Sequence, residues 1–137
     1  MAQLQINLQQ VGETATRAEV GKYEIIIDRP PEKGGSGKGP MGGQVLLMGV
    51  GGCFASTLFA AAKERKIKVT GLKIKLSCEL STSTPTRFSK INIEVTGGEF
   101  SELESINKLI NIAQNGCISI NTVKQGLEVH VKNGVKV

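Results

Sequence analysis

The chain has 137 residues, the length of one domain, and we predict a single domain over residues 1–137. A hydrophobic content of 39% is ordinary for a folded protein and argues against a disordered or fibrous chain. The net charge of +5 comes with scattered Lys residues, a pattern typical of a solvated basic surface. Four Phe, one Tyr and no Trp leave little to stack on bases, so we expect no binding to nucleic acid.

Three cysteines, Cys53, Cys78 and Cys117, form no CxxC pair. An odd count without such pairs is typical neither of a zinc framework nor of a secreted disulfide scaffold. The N-terminus lacks a basic segment followed by an apolar run, so no signal peptide is predicted. We therefore expect a cytoplasmic protein, in which a reactive cysteine would be catalytic or redox-sensing.

The first forty residues predict three strands and a loop. The strands are predicted at residues 4–8, 13–20 and 23–28, from alternating or consecutive apolar residues between turn signals. The glycine-rich loop at 29–40 resembles a phosphate-binding loop only in composition. Glu32 and Gly39 occupy the positions where that motif needs Gly and Ser or Thr, so we expect no nucleotide there.

Residues 45–62 form an uncharged stretch of 18 residues, which reaches the lower limit for a membrane span. Three glycines, Gly49, Gly51 and Gly52, make it a poor span, and the surrounding sequence is polar and rich in strands. The pattern favours a buried helix over a membrane segment. Because a helix that is apolar on all sides needs cover on all sides, it also predicts a homodimer built around this helix.

The second half of the chain predicts a hairpin, a helix and a last strand. Apolar residues alternate on one strand (Leu72, Ile74, Leu76, Cys78, Leu80) and on its partner, which begins at Phe88, with a turn at 81–87. Ser101 and Glu104 have the spacing of a capping box, which predicts a helix up to Asn115-Gly116. A final strand is predicted at 127–131.

The cysteines differ in their settings. Cys78 lies on the apolar face of its strand, which favours a structural role. Cys53 follows two helical glycines, each costing about 1 kcal/mol relative to Ala, so either a partner helix or a substrate passes close to it. Cys117 follows a helix end and has polar neighbours at Ser119, Asn121 and Thr122. Spacing alone leaves both Cys53 and Cys117 open between inert and reactive thiols.

Two segments resemble elements of one family. Residues 39–53, in which an apolar helix contains Gly-Gly-Cys, resemble the first-cysteine segment of OsmC-like proteins, which include the organic hydroperoxide resistance proteins. Residues 117–123 resemble the second-cysteine segment, and the order of elements agrees along nearly the whole chain. The resemblance implies an α+β fold: an intertwined homodimer whose antiparallel sheets wrap around two long central helices.

The resemblance also implies a chemistry. Cys53 would attack an organic hydroperoxide and become a sulfenic acid, and Cys117 would resolve it as a disulfide. A cellular dithiol or lipoyl-type reductant would then restore both thiols, with no metal or haem involved. Such a peroxidase would be an antioxidant oxidoreductase of the oxidative stress response.

One departure from the family concerns activation of the first cysteine. Active members use an Arg that is held by a Glu nine or ten residues before that cysteine, where this chain has Gln44 and Gly43. Arg17 and Arg29 are candidates for the Arg, and each is equally compatible with an ordinary surface position. Because Gln44 cannot form an ion pair with either, we expect slow peroxide reduction. The alternative is a non-catalytic protein that binds a small apolar ligand or senses redox state at the dimer interface.

Overall fold

The computed structural model describes residues 3–136. The chain divides within its longest helix into two compact units, one ending at Gly49 and the other beginning at Val50. The N-terminal unit is a sheet and a loop. The C-terminal unit is a long hairpin packed with helices around one hydrophobic core.

The N-terminal unit contains a three-stranded antiparallel sheet in the order β1-β2-β3. The strands are β1 (Asn7–Gln10), β2 (Thr16–Val20) and β3 (Tyr23–Ile27). The three predicted strands are thus present, although β1 and β2 each begin three residues later than the apolar pattern suggested. A two-residue turn joins β2 to β3, and Gly21 supplies its positive φ of 58°.

The loop after β3 is organised by one buried carboxylate, that of Asp28. Its oxygens accept hydrogen bonds from the Thr14 hydroxyl at 2.7 Å and from the N–H groups of Arg29 and Lys38 at 2.7 and 3.1 Å. They also accept from the hydroxyl and the N–H of Ser36. These bonds, that of the Ser36 hydroxyl first, hold the pKa of Asp28 well below its usual range.

Helix α1 spans Gly42–Glu64 and so extends the predicted helix by three residues at its start and two at its end. Val50, Phe54 and Leu58 lie on its buried face in the core. Other apolar side chains of the helix remain open, since Leu46, Met48 and Phe59 are 50%, 61% and 48% exposed. A single chain therefore does not cover the whole helix, and the homodimer that the sequence pattern predicts stays a prediction.

Length and composition would allow α1 to cross a membrane, a test that the core helices of soluble proteins also pass. The predicted preference for a core helix over a membrane segment is consistent with the core face of α1.

The hairpin of the C-terminal unit pairs β4 (Val69–Leu80) with β5 (Phe88–Phe100) as predicted. The apolar face of β4 packs against the core, and it approaches α1 so closely that a Cβ at Gly51 would lie 2.7 Å from Leu76 Cδ1. Close approach of β4 is therefore one physical reason for a glycine at this position. Cys78 pairs with Ile91 and is only half-buried.

Two short helices follow β5: α2 (Ile106–Gly116) and α3 (Ile118–Gln125), after a 3₁₀ turn at Leu103–Ser105. The predicted capping box is wrong. The Ser101 hydroxyl instead accepts a hydrogen bond from the Lys68 N–H at 2.9 Å, and the Ser101 N–H donates to the Lys68 carbonyl at the same distance. Ser101 thus continues the pairing of the hairpin, and the α-helix begins only at Ile106.

The strand predicted at 127–131 is also absent, since these residues have no regular secondary structure. Leu127, Val129 and Val131 are 71%, 76% and 94% exposed. Alternating apolar side chains form a strand only where a neighbouring strand takes up the backbone N–H and C=O groups. In the described part of this chain, no strand pairs with the segment.

Candidate active site

Cys53 lies in the middle of α1. The residue is half-buried and packs against the hydrophobic core, so its sulfur keeps partial access to solvent. One turn later, the Thr57 hydroxyl donates to the Cys53 carbonyl at 2.8 Å. The thiol therefore projects from a continuous, hydrogen-bonded stretch of helix that fixes its position.

Cys117 lies between α2 and α3 and is fully buried, with 0% of its surface exposed. It is the N-cap of α3, and its sulfur accepts a hydrogen bond from the Ile120 N–H at 3.4 Å. The preceding residue, Gly116, approaches α1: a Cβ there would lie 3.4 Å from Thr57 Cγ2. This approach sets the start of α3 against the turn of α1 that carries Cys53.

The structure places Cys117 near Cys53, closely enough that each thiol changes the pKa of the other. Hydrogen bonds lower the pKa of Cys53 to about 7, against an opposing effect of burial. The Ser119 hydroxyl contributes most, followed by the Ser119 N–H, the Cys117 thiol and the Ile118 N–H. The first N–H groups of a helix have no intrahelical partner and mark its positive end, so the start of α3 favours a thiolate.

Burial raises the pKa of Cys117, and the neighbouring Cys53 raises it further through its hydrogen bond and its charge. The Ile120 and Ser119 N–H groups oppose this change without reversing it. The pKa values of the two neighbouring thiols are therefore shifted in opposite directions. Near neutral pH, Cys53 is therefore the more readily ionised of the two thiols.

Arg17, Arg29 and Gln44, the other predicted site residues, belong to the N-terminal unit. The Arg17 guanidinium lies 2.8 Å from Glu19 and 3.6 Å from Glu24, which ties it to carboxylates of its own sheet. Arg29 is exposed at the start of the loop.

Gln44 has a local structural task. Its side-chain oxygen accepts a hydrogen bond from the Met41 N–H at 2.9 Å. Gln44 is the third residue of α1, so this bond is the returning half of a capping box, in which Gln or Glu at that position reaches back to the residue before the helix. The amide therefore caps the start of α1.

Ser119 is the site residue that sequence reasoning missed. It stood out only as a polar neighbour of Cys117, because α3 was not predicted: eight residues with mixed polarity give a weak helical pattern. Without that helix, nothing indicated that the N–H groups after Cys117 converge on a thiol. A cysteine with Ser two residues later at a helix start is the signal that would have found it.

Two further features concern ligands. Within residues 3–136, no group of three or more His, Cys, Asp or Glu side chains is placed to hold a metal ion. A cleft of about 400 Å³ lies at the end of α1. It is lined by apolar residues (Phe59, Ala62, Ile67, Val69) and by lysines (Lys63, Lys66, Lys68).

Comparison with known proteins gives a family and a fold. Residues 35–132 match the family model described as OsmC-like protein. The chain superposes on an OsmC-like protein from Mycoplasma pneumoniae with a TM-score of 0.74 and 20% identity, over 90% of this chain and 88% of that one. A search of curated proteins returns no match.

Two structures of organic hydroperoxide resistance proteins are also similar. The protein from Legionella pneumophila gives a TM-score of 0.64 at 20% identity, over 90% of this chain and 92% of that one. The protein from Elizabethkingia anophelis gives 0.62 at 20% identity, over 90% of each chain. At these identities the similarity establishes a shared fold.

Proposed function

Because the chain belongs to the OsmC-like family, as its sequence predicted, we propose that it is a thiol peroxidase for organic hydroperoxides. Cys53 is the peroxidatic residue and Cys117 the resolving residue. The α+β fold class is confirmed by the structural neighbours, and some of these are organic hydroperoxide resistance proteins. The observation that carries the proposal is the opposite change in pKa of two neighbouring thiols.

The first step is attack of the Cys53 thiolate on the terminal oxygen of the hydroperoxide. The O–O bond breaks, the sulfur is oxidised to a sulfenic acid, and the leaving alkoxide takes a proton to become an alcohol. The neighbouring Cys117 thiol, whose pKa is raised, supplies that proton. A low pKa at Cys53 and a protonated Cys117 are the states this step requires.

The second step closes the disulfide. Once Cys53 is a neutral sulfenic acid, the charge that raised the pKa of Cys117 is gone, so the thiolate that Cys117 becomes after giving up its proton is stabilised. This thiolate attacks the Cys53 sulfur and expels hydroxide, which takes a proton from solvent and leaves as water. An external dithiol, such as a lipoyl-type reductant, then reduces the disulfide by thiol exchange. The cycle is complete without a metal or another cofactor.

The proposed assembly is a homodimer in the cytoplasm. Family members are typically homodimers. The open face of α1, with Leu46, Met48 and Phe59 exposed, is an apolar surface that a second copy would cover. An antioxidant role in oxidative stress defence follows from the proposed reaction.

The test is peroxide consumption with cumene hydroperoxide and a panel of dithiols that includes dihydrolipoamide. The wild type should turn over, Cys53→Ser should be inactive, and Cys117→Ser should lose dithiol-dependent turnover after one oxidation. Cys78→Ser is the matched control and should keep the wild-type rate. A Cys53→Ser protein as active as the wild type would refute the proposal.

The second candidate function is ligand binding, which the cleft at the end of α1 favours. Its apolar floor and three lysines suit a small amphipathic acid rather than a purely apolar molecule. Octanoate should then raise the melting temperature more than octanol does, and Lys66→Ala should reduce the difference. Equal effects of both compounds would rule out recognition of the acid group.

A further inference from the structure

Thr57 lies one helical turn after Cys53, on the same side of α1. Side chains at this spacing have Cβ atoms about 5–6 Å apart, so a segment that contacts Thr57 also lies close to Cys53. The end of α2 is such a segment, because a Cβ on Gly116 would lie 3.4 Å from Thr57 Cγ2. Cys117 follows directly, is fully buried, and belongs to the hydrophobic core against which Cys53 packs. Packing at Thr57 therefore places the two cysteines near each other.

The methyl group of Thr57 has a fixed direction. The Thr57 hydroxyl donates to the Cys53 carbonyl at 2.8 Å, and this bond holds χ1 of a side chain that is already stiff because it branches at Cβ. Since χ1 is held, the position of Cγ2 is held too, and Cγ2 is the atom that faces Gly116. Gly116 brings no side chain to this contact. The Thr57 methyl therefore sets how closely the backbone before Cys117 approaches α1.

We propose that Thr57 is a positioning residue for disulfide closure: its methyl group holds the end of α2 where the Cys117 sulfur can reach the Cys53 sulfur. The inference rests on the proposed function, in which Cys117 resolves oxidised Cys53. Displacement at sulfur is fast only when the reacting atoms are held close and aligned, so a shift of the end of α2 slows closure. The earlier reaction of Cys53 with an oxidant does not use Cys117 as a nucleophile, so its rate is independent of this contact.

The experiment follows closure without peroxide, in a Cys78→Ser parent protein treated with dithiobisnitrobenzoate. The Cys53 thiolate attacks one sulfur of this reagent, the S–S bond of the reagent breaks, and a coloured thiolate leaves. Cys117 loses its proton to solvent and attacks the Cys53 sulfur of the mixed disulfide, which expels a second coloured thiolate. The rate of the first release, capture, depends on reagent concentration, whereas the rate of the second, closure, does not.

Thr57→Ser keeps the hydroxyl and removes the methyl group. It should slow closure about threefold to tenfold and leave capture within about twofold of the parent rate. Thr57→Val keeps the methyl group on a side chain that is stiff in a helix, and it should close at the parent rate. The matched control is Thr122→Ser on α3. Thr122 makes the same bond to the carbonyl four residues earlier, that of Ile118, so the control loses the same methyl group and should change neither rate.

Gly116→Ala in the Thr57→Ser background restores a methyl group from the other side of the contact. Gly116 lies within α2, where Ala is a favoured residue, and closure should recover. Parent closure in Thr57→Ser, slow closure in Thr57→Val, no recovery in the double variant, or equal slowing in Thr122→Ser overturns the inference. If the parent shows no closure, the inference and the resolving role of Cys117 fail together. If closure depends on Thr57 but the parent consumes no peroxide, the positioning role stands and the peroxidase function fails.

Discussion

The pH dependence of Cys53 alkylation measures the electrostatics of the site directly. With a pKa of about 7, half of Cys53 is thiolate at pH 7, against about one part in a hundred for a thiol at the ordinary value of 9.0. This is a gain of about fiftyfold in ionised thiol. Intrinsic nucleophilicity falls with pKa, and for a difference of two units the loss is about six- to tenfold.

Because of these two effects, the alkylation rates of Cys53 and of an ordinary thiol change order as the pH rises. At pH 7 the fiftyfold gain wins, so Cys53 should react about five- to eightfold faster than an ordinary thiol. At pH 9.5 most of an ordinary thiol is also ionised, so the loss of nucleophilicity wins and Cys53 should react about five- to eightfold more slowly. Partial burial slows the reaction equally at every pH and leaves the midpoint unchanged.

The assay is iodoacetamide labelling between pH 5 and 10, with peptide mass spectrometry to separate Cys53 from Cys78 and Cys117. The same peptides labelled in urea provide the unfolded reference for each thiol. The folded curve for Cys53 should have its midpoint near pH 7, well below the midpoint of its urea curve. A folded midpoint at about 8.5 or above would refute the assignment of Cys53 as the activated thiol.

Three further predictions follow from other contacts. Mild peroxide treatment should join Cys53 to Cys117, and peptide mapping that finds Cys78 in the bridge instead would contradict the site. Asp28→Asn should lower the melting temperature at pH 7. Because the fold depresses the pKa of this carboxylate from 3.8, its stabilisation is complete above about pH 5 and is lost as the pH falls. The melting temperature of the variant should therefore drop less than that of the wild type between pH 5 and 2, and parallel pH profiles would refute this. Leu109→Ala should reduce the free energy of unfolding by about 2–5 kcal/mol in urea titrations, since the side chain is fully buried, and a loss below 1 kcal/mol would indicate that the core collapses around the cavity.

Where the sequence predicted well, the signal was local. The hairpin of β4 and β5 follows from side-chain alternation. Helix α1 follows from a long uncharged stretch that contains no proline. Both patterns depend only on neighbouring residues and on one buried face.

Where prediction failed, the deciding contact was distant in sequence. Ser101 was predicted as a helix cap because of Glu104, but it pairs with Lys68, 33 residues earlier. Residues 127–131 have the pattern of a strand without a neighbouring strand in the described chain. Cys117 lies near Cys53 because Gly116 packs against Thr57, which is 59 residues earlier in the chain. Such long-range pairings cannot be read from spacing alone.

The N-cap of α3 is a sulfur, and it holds Cys117 only weakly. Sulfur is a weak acceptor, so the 3.4 Å bond from the Ile120 N–H restrains the first turn less than a Ser or Asp oxygen would. A helix of eight residues adds little cooperative stiffness of its own. Release of Cys117 from its cap should therefore cost little free energy, which favours movement of its sulfur toward Cys53.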